Sequence, residues 1–111
     1  MTGSSSIGES MARVYQRAPP SSLDDLRWNG TTVALFVTSH NCPSCRRFKE
    51  DTSRKTSFER NMSIHTVIPW DVSKSQKMKQ LVADAGVTKI PCYVLLRGDR
   101  HSLPTVVLPS Q

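Results

Sequence analysis

Thr32-Val33-Ala34-Leu35-Phe36-Val37-Thr38-Ser39-His40-Asn41-Cys42-Pro43-Ser44-Cys45 is the stretch whose reading decides the fold. Its first half, residues 32–38, is a nearly continuous β-branched and aromatic run, too short for a typical helix and apolar on both faces. That pattern predicts a buried central strand in a sheet covered on both sides. Ser39-His40-Asn41 is a short loop, and Cys42-Pro43 predicts a helix start, since proline in the first turn lacks only an N–H that would have no partner there. Cys42 therefore faces unsatisfied backbone N–H groups and the positive end of the helix dipole. Such a position lowers a thiol pKa from about 8.5 into a range of roughly 3.5 to 7.5. Cys45, one turn later, is expected to lie deeper and within reach of Cys42.

A Cys-x-x-Cys by itself fits either redox chemistry or half of a zinc site. Pro91 narrows the choice. Ile90-Pro91 opens a later strand, residues 92–96, and an X-Pro bond at the start of a strand is a candidate for the cis form. A CxxC after an apolar strand, with a downstream Ile-Pro at a strand start, points to thiol–disulfide exchange. In that chemistry Cys42 is the attacking thiolate, and Cys45 resolves the mixed disulfide.

Outward from this core the chain reads as β-α-β-α-β-β. The helix opened by Pro43 is expected to run to about Arg60, with Cys45, Phe48, Thr52 and Phe58 facing inward. A strand over residues 64–68 is expected to close at Pro69-Trp70-Asp71, where Trp70 is read as a packing residue. Ser73-Lys74-Ser75-Gln76 matches the capping box of a helix running to about Ala85, whose inward face is Met78, Leu81, Val82 and Ala85. Gly86 is placed to end it. Gly98-Asp99 is a turn, and residues 105–108 are an antiparallel partner for residues 92–96. Upstream, residues 1–10 read as a disordered tail, Pro19-Pro20 as punctuation, and residues 22–29 as a short helix ending before Gly30. Residues 11–111 are expected to form a single domain.

Bulk properties agree with one modest domain. The chain has 111 residues, 37% of them hydrophobic, and a formal net charge of +6. The basic residues are scattered and interleaved with Glu50, Asp51 and Glu59, with no RNP-like or helix-turn-helix pattern. We read them as a solvated basic surface able to attract acidic protein partners, with no specific nucleic acid partner. Three cysteines are too few for a disulfide scaffold, and a close pair plus a lone third suits an intracellular, cytoplasmic protein. No stretch is apolar enough for a signal-peptide core or a membrane span, while Arg13 and Arg17 leave an organellar address open.

Taken together, the apolar strand, the CxxC opening a helix, the β-α connection and the Ile90-Pro91 strand start resemble the thioredoxin-fold superfamily over residues 31–108. The resemblance implies an α/β, thioredoxin-like fold: a central mixed sheet of about four strands with flanking helices. It also implies a cis proline packed beside the dithiol, with Ile90, Pro91 and Cys92 offering backbone to an extended substrate. Pro43 and Ser44, between the cysteines, complete the expected substrate contacts.

Five departures qualify the likeness. The Pro-Ser dipeptide is nearer to the Pro-Tyr of glutaredoxins than to the Gly-Pro of thioredoxin. Phe36 stands where thioredoxins carry a buried acid, and Asn41 replaces the tryptophan before the first cysteine. Gly98 to Gln111 holds no Gly-Gly-Cys-Asp-like segment, so glutathione binding is not expected. The usual C-terminal helix cannot fit in the same stretch, which leaves a sheet face to be filled by the N-terminal segment, by a partner or by self-association.

The resulting expectation is a dithiol–disulfide oxidoreductase acting on protein disulfides and re-reduced by a reductase or a low-molecular-weight thiol. It needs no cofactor beyond a Cys42–Cys45 redox disulfide. The alternatives are a non-catalytic adaptor of the same fold, and a zinc domain using Cys42, Cys45, Cys92 and one of His40, His65 or His101. Cys92 is read as a small buried hydrophobe, with a third redox thiol as its alternative; His40 is read as an exposed loop residue, with thiolate stabilisation as its alternative.

Overall fold

A computed structural model describes the backbone of residues 3–99 and 102–109, with side chains from Ile7 onward. Four strands form one mixed sheet in the order β2-β1-β3-β4: β1 Val33–Thr38, β2 Thr66–Asp71, β3 Cys92–Leu96 and β4 Thr105–Val107. β1 runs parallel to β2 and antiparallel to β3, which in turn pairs antiparallel with β4. Every residue of β1 and β3 is buried, as the unbroken apolar runs require of central strands covered on both faces.

The alternation of side chains along these strands divides the interior into two layers. One face carries Val33, Leu35, Val37, Ile68, Trp70 and Val94. It is covered by α1 Gly3–Arg17, by a 3-10 turn at Leu23–Leu26, and by α4 Gln76–Asp84. The opposite face carries Ala34, Phe36, Tyr93 and Leu95 beneath α2 Pro43–Glu50 and α3 Thr52–Asn61. Phe36, Phe48, Phe58 and Tyr93 stack there, with ring centroids between 4.9 and 6.4 Å apart. The Tyr93 hydroxyl donates to Glu59 at 2.6 Å, and Glu59 also pairs with Lys55 at 2.6 Å, so the buried phenol ends on a carboxylate.

Several local expectations change. Residues 1–10, read as a disordered tail, are helical from Gly3 onward. Gly8, Met11, Ala12 and Tyr15 fall on one stripe of α1 and seal it against β2, Tyr15 reaching Trp70 at 6.1 Å between ring centroids. Gly8 permits the approach: a Cβ there would overlap the Val67 carbonyl oxygen and stand 2.8 Å from its carbon. The helix expected from Pro43 to Arg60 is two helices broken at Asp51, whose side chain caps α3 by accepting from the Arg54 N–H. The break leaves Thr52 exposed and rotates the apolar stripe to Phe58.

β2 begins later than expected and runs through Pro69 to Asp71. As the outermost strand it tolerates a residue without an N–H. α4 is capped by Ser75, not Ser73, its hydroxyl accepting from the Met78 N–H, and Gly86 follows it with φ +105°. Of residues 22–29 only a single 3-10 turn forms, capped by Ser22. No described helix follows β4; Leu108 and the buried Pro109 run on to the cleft beside α2 and α3, while the N-terminal helix lies on the opposite face.

Candidate functional site

The site grows from the junction of β1 and α2. After Thr38 the chain turns through Ser39 and His40, the His40 N–H donating to Ser73 Oγ at 3.1 Å. Cys42 is the N-cap of α2, in extended backbone (φ −124°, ψ 98°), and Pro43 is the first helical residue. Proline costs nothing there, and a sulfur at the cap position takes the place usually held by a serine or aspartate oxygen. The Cys45 N–H donates to Cys42 Sγ at 3.2 Å. Cys42 and Cys45 form a disulfide, with Cα atoms 5.2 Å apart.

Exposure separates the two sulfurs' residues: Cys42 is 8% exposed and Cys45 1%. Ser44, between them, is exposed. Beside the pair lie His40 and Asp71 together with the cations Arg46 and Lys49. Asp71 is engaged locally, its Oδ1 accepting from the Ser73 N–H at 2.9 Å and from the Ser73 hydroxyl.

Beyond Ser44 opens a cleft of about 390 Å³, lined on one wall by Arg47 and Phe48 of α2 and on the other by Lys89, Ile90 and Pro91. The Ile90–Pro91 peptide bond is cis. Pro91 and Ser44 thus share one cleft, although 47 positions separate them in the chain (91 − 44). Asp51, Arg54, Leu108 and Pro109 complete its lining.

Cys92, directly after Pro91, takes a different place. It is fully buried in the layer with Val37 and Val94, carries a free thiol, and burial pushes its pKa up to about 11. It does not share the lining of the cleft or of the dithiol's surroundings. Nor do the described residues assemble the zinc set: no group of three or more His, Cys, Asp or Glu side chains is placed to hold a metal ion, and His65 Nδ1 accepts from the Thr32 N–H at 2.9 Å. His101, also considered for that set, lies outside the described residues.

Sequence reading missed Arg47 and Lys89 as site residues. The available signals were their positions, two residues after Cys45 and two before Pro91. Phe36, one of the departures read from the sequence, packs its ring between Phe48 and Tyr93 with Lys55 Nζ 4.9 Å from its centroid.

The arrangement has the chemical elements of exchange at sulfur: a helix-capping sulfur near the surface, a second sulfur one turn below it, and an adjoining groove. No membrane-crossing helix occurs among the described residues. Compared with known families, residues 19–108 match the thioredoxin-like domain. None of the curated proteins matches the chain. With that match spanning most of its length, and with its four-stranded mixed sheet, flanking helices and CxxC disulfide, the chain belongs to the thioredoxin-like domain family.

Proposed function

We propose that the protein is a dithiol–disulfide oxidoreductase acting on protein disulfides. The observation that carries this reading is the placement of Cys42 as the N-cap of α2, disulfide-bonded to a deeper Cys45. In the reduced protein the Cys42 thiolate is stabilised by the free N–H groups of the first turn and by the helix dipole, which favours the nucleophilic form near neutral pH.

The exchange balances as follows in atoms and electrons. Cys42 thiolate attacks one sulfur of the substrate disulfide; a Cys42–substrate bond forms, the substrate S–S bond breaks, and the other substrate sulfur leaves as thiolate and takes up a proton. Cys45, having lost its proton, attacks Cys42 Sγ, forming Cys42–Cys45 and releasing the second substrate thiol. The substrate gains two electrons and the protein loses two, which an external dithiol or reductase returns. Neither step needs a cofactor. Ile90, Pro91 and Ser44 border the groove along which an extended substrate would lie, and Pro43 fixes the helix start.

The test is reduction of a protein disulfide under dithiothreitol by wild type, Cys42→Ser and Cys45→Ser. Wild type accelerates the reaction, Cys42→Ser does not, and Cys45→Ser accumulates a mixed disulfide. Equal rates from all three would replace this reading with that of a non-catalytic adaptor.

A further inference from the structure

We propose that the cleft beside the dithiol selects disulfides whose cysteine is flanked by acidic residues. This rests on the exchange reading above and adds the charge of the substrate. The cleft is two-sided: its walls come from α2 and from the segment before β3, and each wall contributes a cation, Arg47 from the first and Lys89 from the second. Both side chains are exposed, so their charge reaches an incoming chain. Between them Ile90 and Pro91 give an apolar border suited to extended peptide.

The nearby acids keep their charge but are outnumbered: among the residues lining the cleft, Asp51 stands against Arg47, Arg54 and Lys89. Asp51 also caps α3, its Oδ1 accepting from the Arg54 N–H at 3.3 Å. Asp71, on the other side of the dithiol, is held by Ser73, and two more cations, Arg46 and Lys49, line that side. A substrate approaching Cys42 therefore meets positive charge in both directions. The reacting centre acts on sulfur, which requires a ligand carrying a disulfide. An acidic peptide meets both requirements, and the volume of about 390 Å³ is within the range of small-ligand sites, about 300–1,000 Å³.

The chemistry is the exchange already balanced, with dithiothreitol supplying the two electrons; the cleft changes only how readily one substrate is engaged. Complementary charge at a rim acts chiefly on encounter and register. The experiment compares kcat/KM for three disulfide-linked peptide pairs of equal length, flanked by aspartates, by serines or by lysines. The acidic peptide is expected to exceed the basic one by about three- to tenfold at low salt, two exposed charge contacts each contributing modestly. The ratio narrows as salt shortens the screening length to about 8 Å and below.

In Arg47→Glu and Lys89→Glu the acidic-to-basic ratio falls to one or inverts, while Lys77→Glu, on α4 away from the cleft, keeps the wild-type ratio. No turnover of the serine peptide would remove the exchange reading itself. Turnover of all three at equal rates, or an equal shift in the Lys77→Glu ratio, would overturn the acidic preference alone. A fourth arm uses the serine peptide as its mixed disulfide with glutathione; acceleration there without acceleration of the acidic peptide would assign the cations to a small thiol's carboxylates and likewise overturn the proposal.

Discussion

Cys92 gives the most exacting test, because its position next to Pro91 invites a redox role that its surroundings deny. Burial raises its thiol to about 11. At about pH 8 such a thiol is ionised to roughly one part in a thousand, whereas a helix-capping Cys42 thiol in the range of about 3.5 to 7.5 is mostly thiolate. The more basic thiolate is the better nucleophile, with a Brønsted slope of about 0.4 to 0.5, so against a Cys42 thiol at the upper end of that range Cys92 recovers roughly fortyfold, and acid–base chemistry alone leaves it slower by about ten- to thirtyfold. Access widens the gap. Cys92 is 0% exposed in the layer with Val37 and Val94, so a reagent reaches it only through local opening. In the opened state the thiol is solvated and back near its ordinary value, so opening replaces the burial shift and does not multiply it: an opening free energy of about 3 kcal/mol by itself leaves Cys92 about a hundredfold slower than Cys42. The assay is alkylation of the fully reduced protein by iodoacetamide at about pH 8, with each cysteine quantified by mass spectrometry and with denatured protein as the control. In denaturant the three thiols should label at similar rates. Native labelling of Cys92 within tenfold of Cys42 would refute the reasoning and restore Cys92 as a third redox thiol.

Three further outcomes follow from the packing. Gly8→Ala forces a methyl into the Val67 carbonyl and should cost about 1 to 3 kcal/mol by urea denaturation, with added protease sensitivity in α1. An unchanged midpoint would mean that α1 is not docked as described. Arg27→Ala removes side-chain hydrogen bonds to Asp24 and to the carbonyls of Arg97, Asp99 and Ser102, and should lower stability by about 2 to 3 kcal/mol, most of it recovered by neither Lys nor Gln, which lack the fork; a loss below about 0.5 kcal/mol would contradict it. Cys92 and Tyr93 both hold their protons more tightly in the folded state, through burial and, for Tyr93, through the bond to Glu59. The stability from Cys92 is complete below about pH 9 and is lost by about pH 11, while that from Tyr93 starts to fall only above about pH 10, so the urea midpoint of the reduced protein should fall from about pH 9 upward and, above about pH 10, fall less in Tyr93→Phe. A flat alkaline profile would count against the buried placement of both groups.

What sequence alone determined here is what short-range chemistry controls. The apolar run of β1 requires cover on two faces, Cys42-Pro43 begins a helix because both residues suit its unsatisfied first turn, and Ile90-Pro91 marks the start of a strand. These features depend on residues adjacent in the chain, so they were legible without coordinates. The rest depended on partners far along the chain. The stripe of Gly8, Met11, Ala12 and Tyr15 lies in a serine-rich segment and gains its meaning only against β2. Pro69 stays within a strand because β2 is outermost, which strand order decides. Arg27 finds its acceptors 70 to 75 positions away. Cys92 is fully buried in the layer opposite α2, and Arg47 and Lys89 become opposite walls of one cleft, because the sheet joins β1 to β3 while α2 covers one face. Local periodicity and capping thus determined the elements and the dithiol, whereas the pairing of distant strands decided which thiol is shielded and which charges a substrate meets.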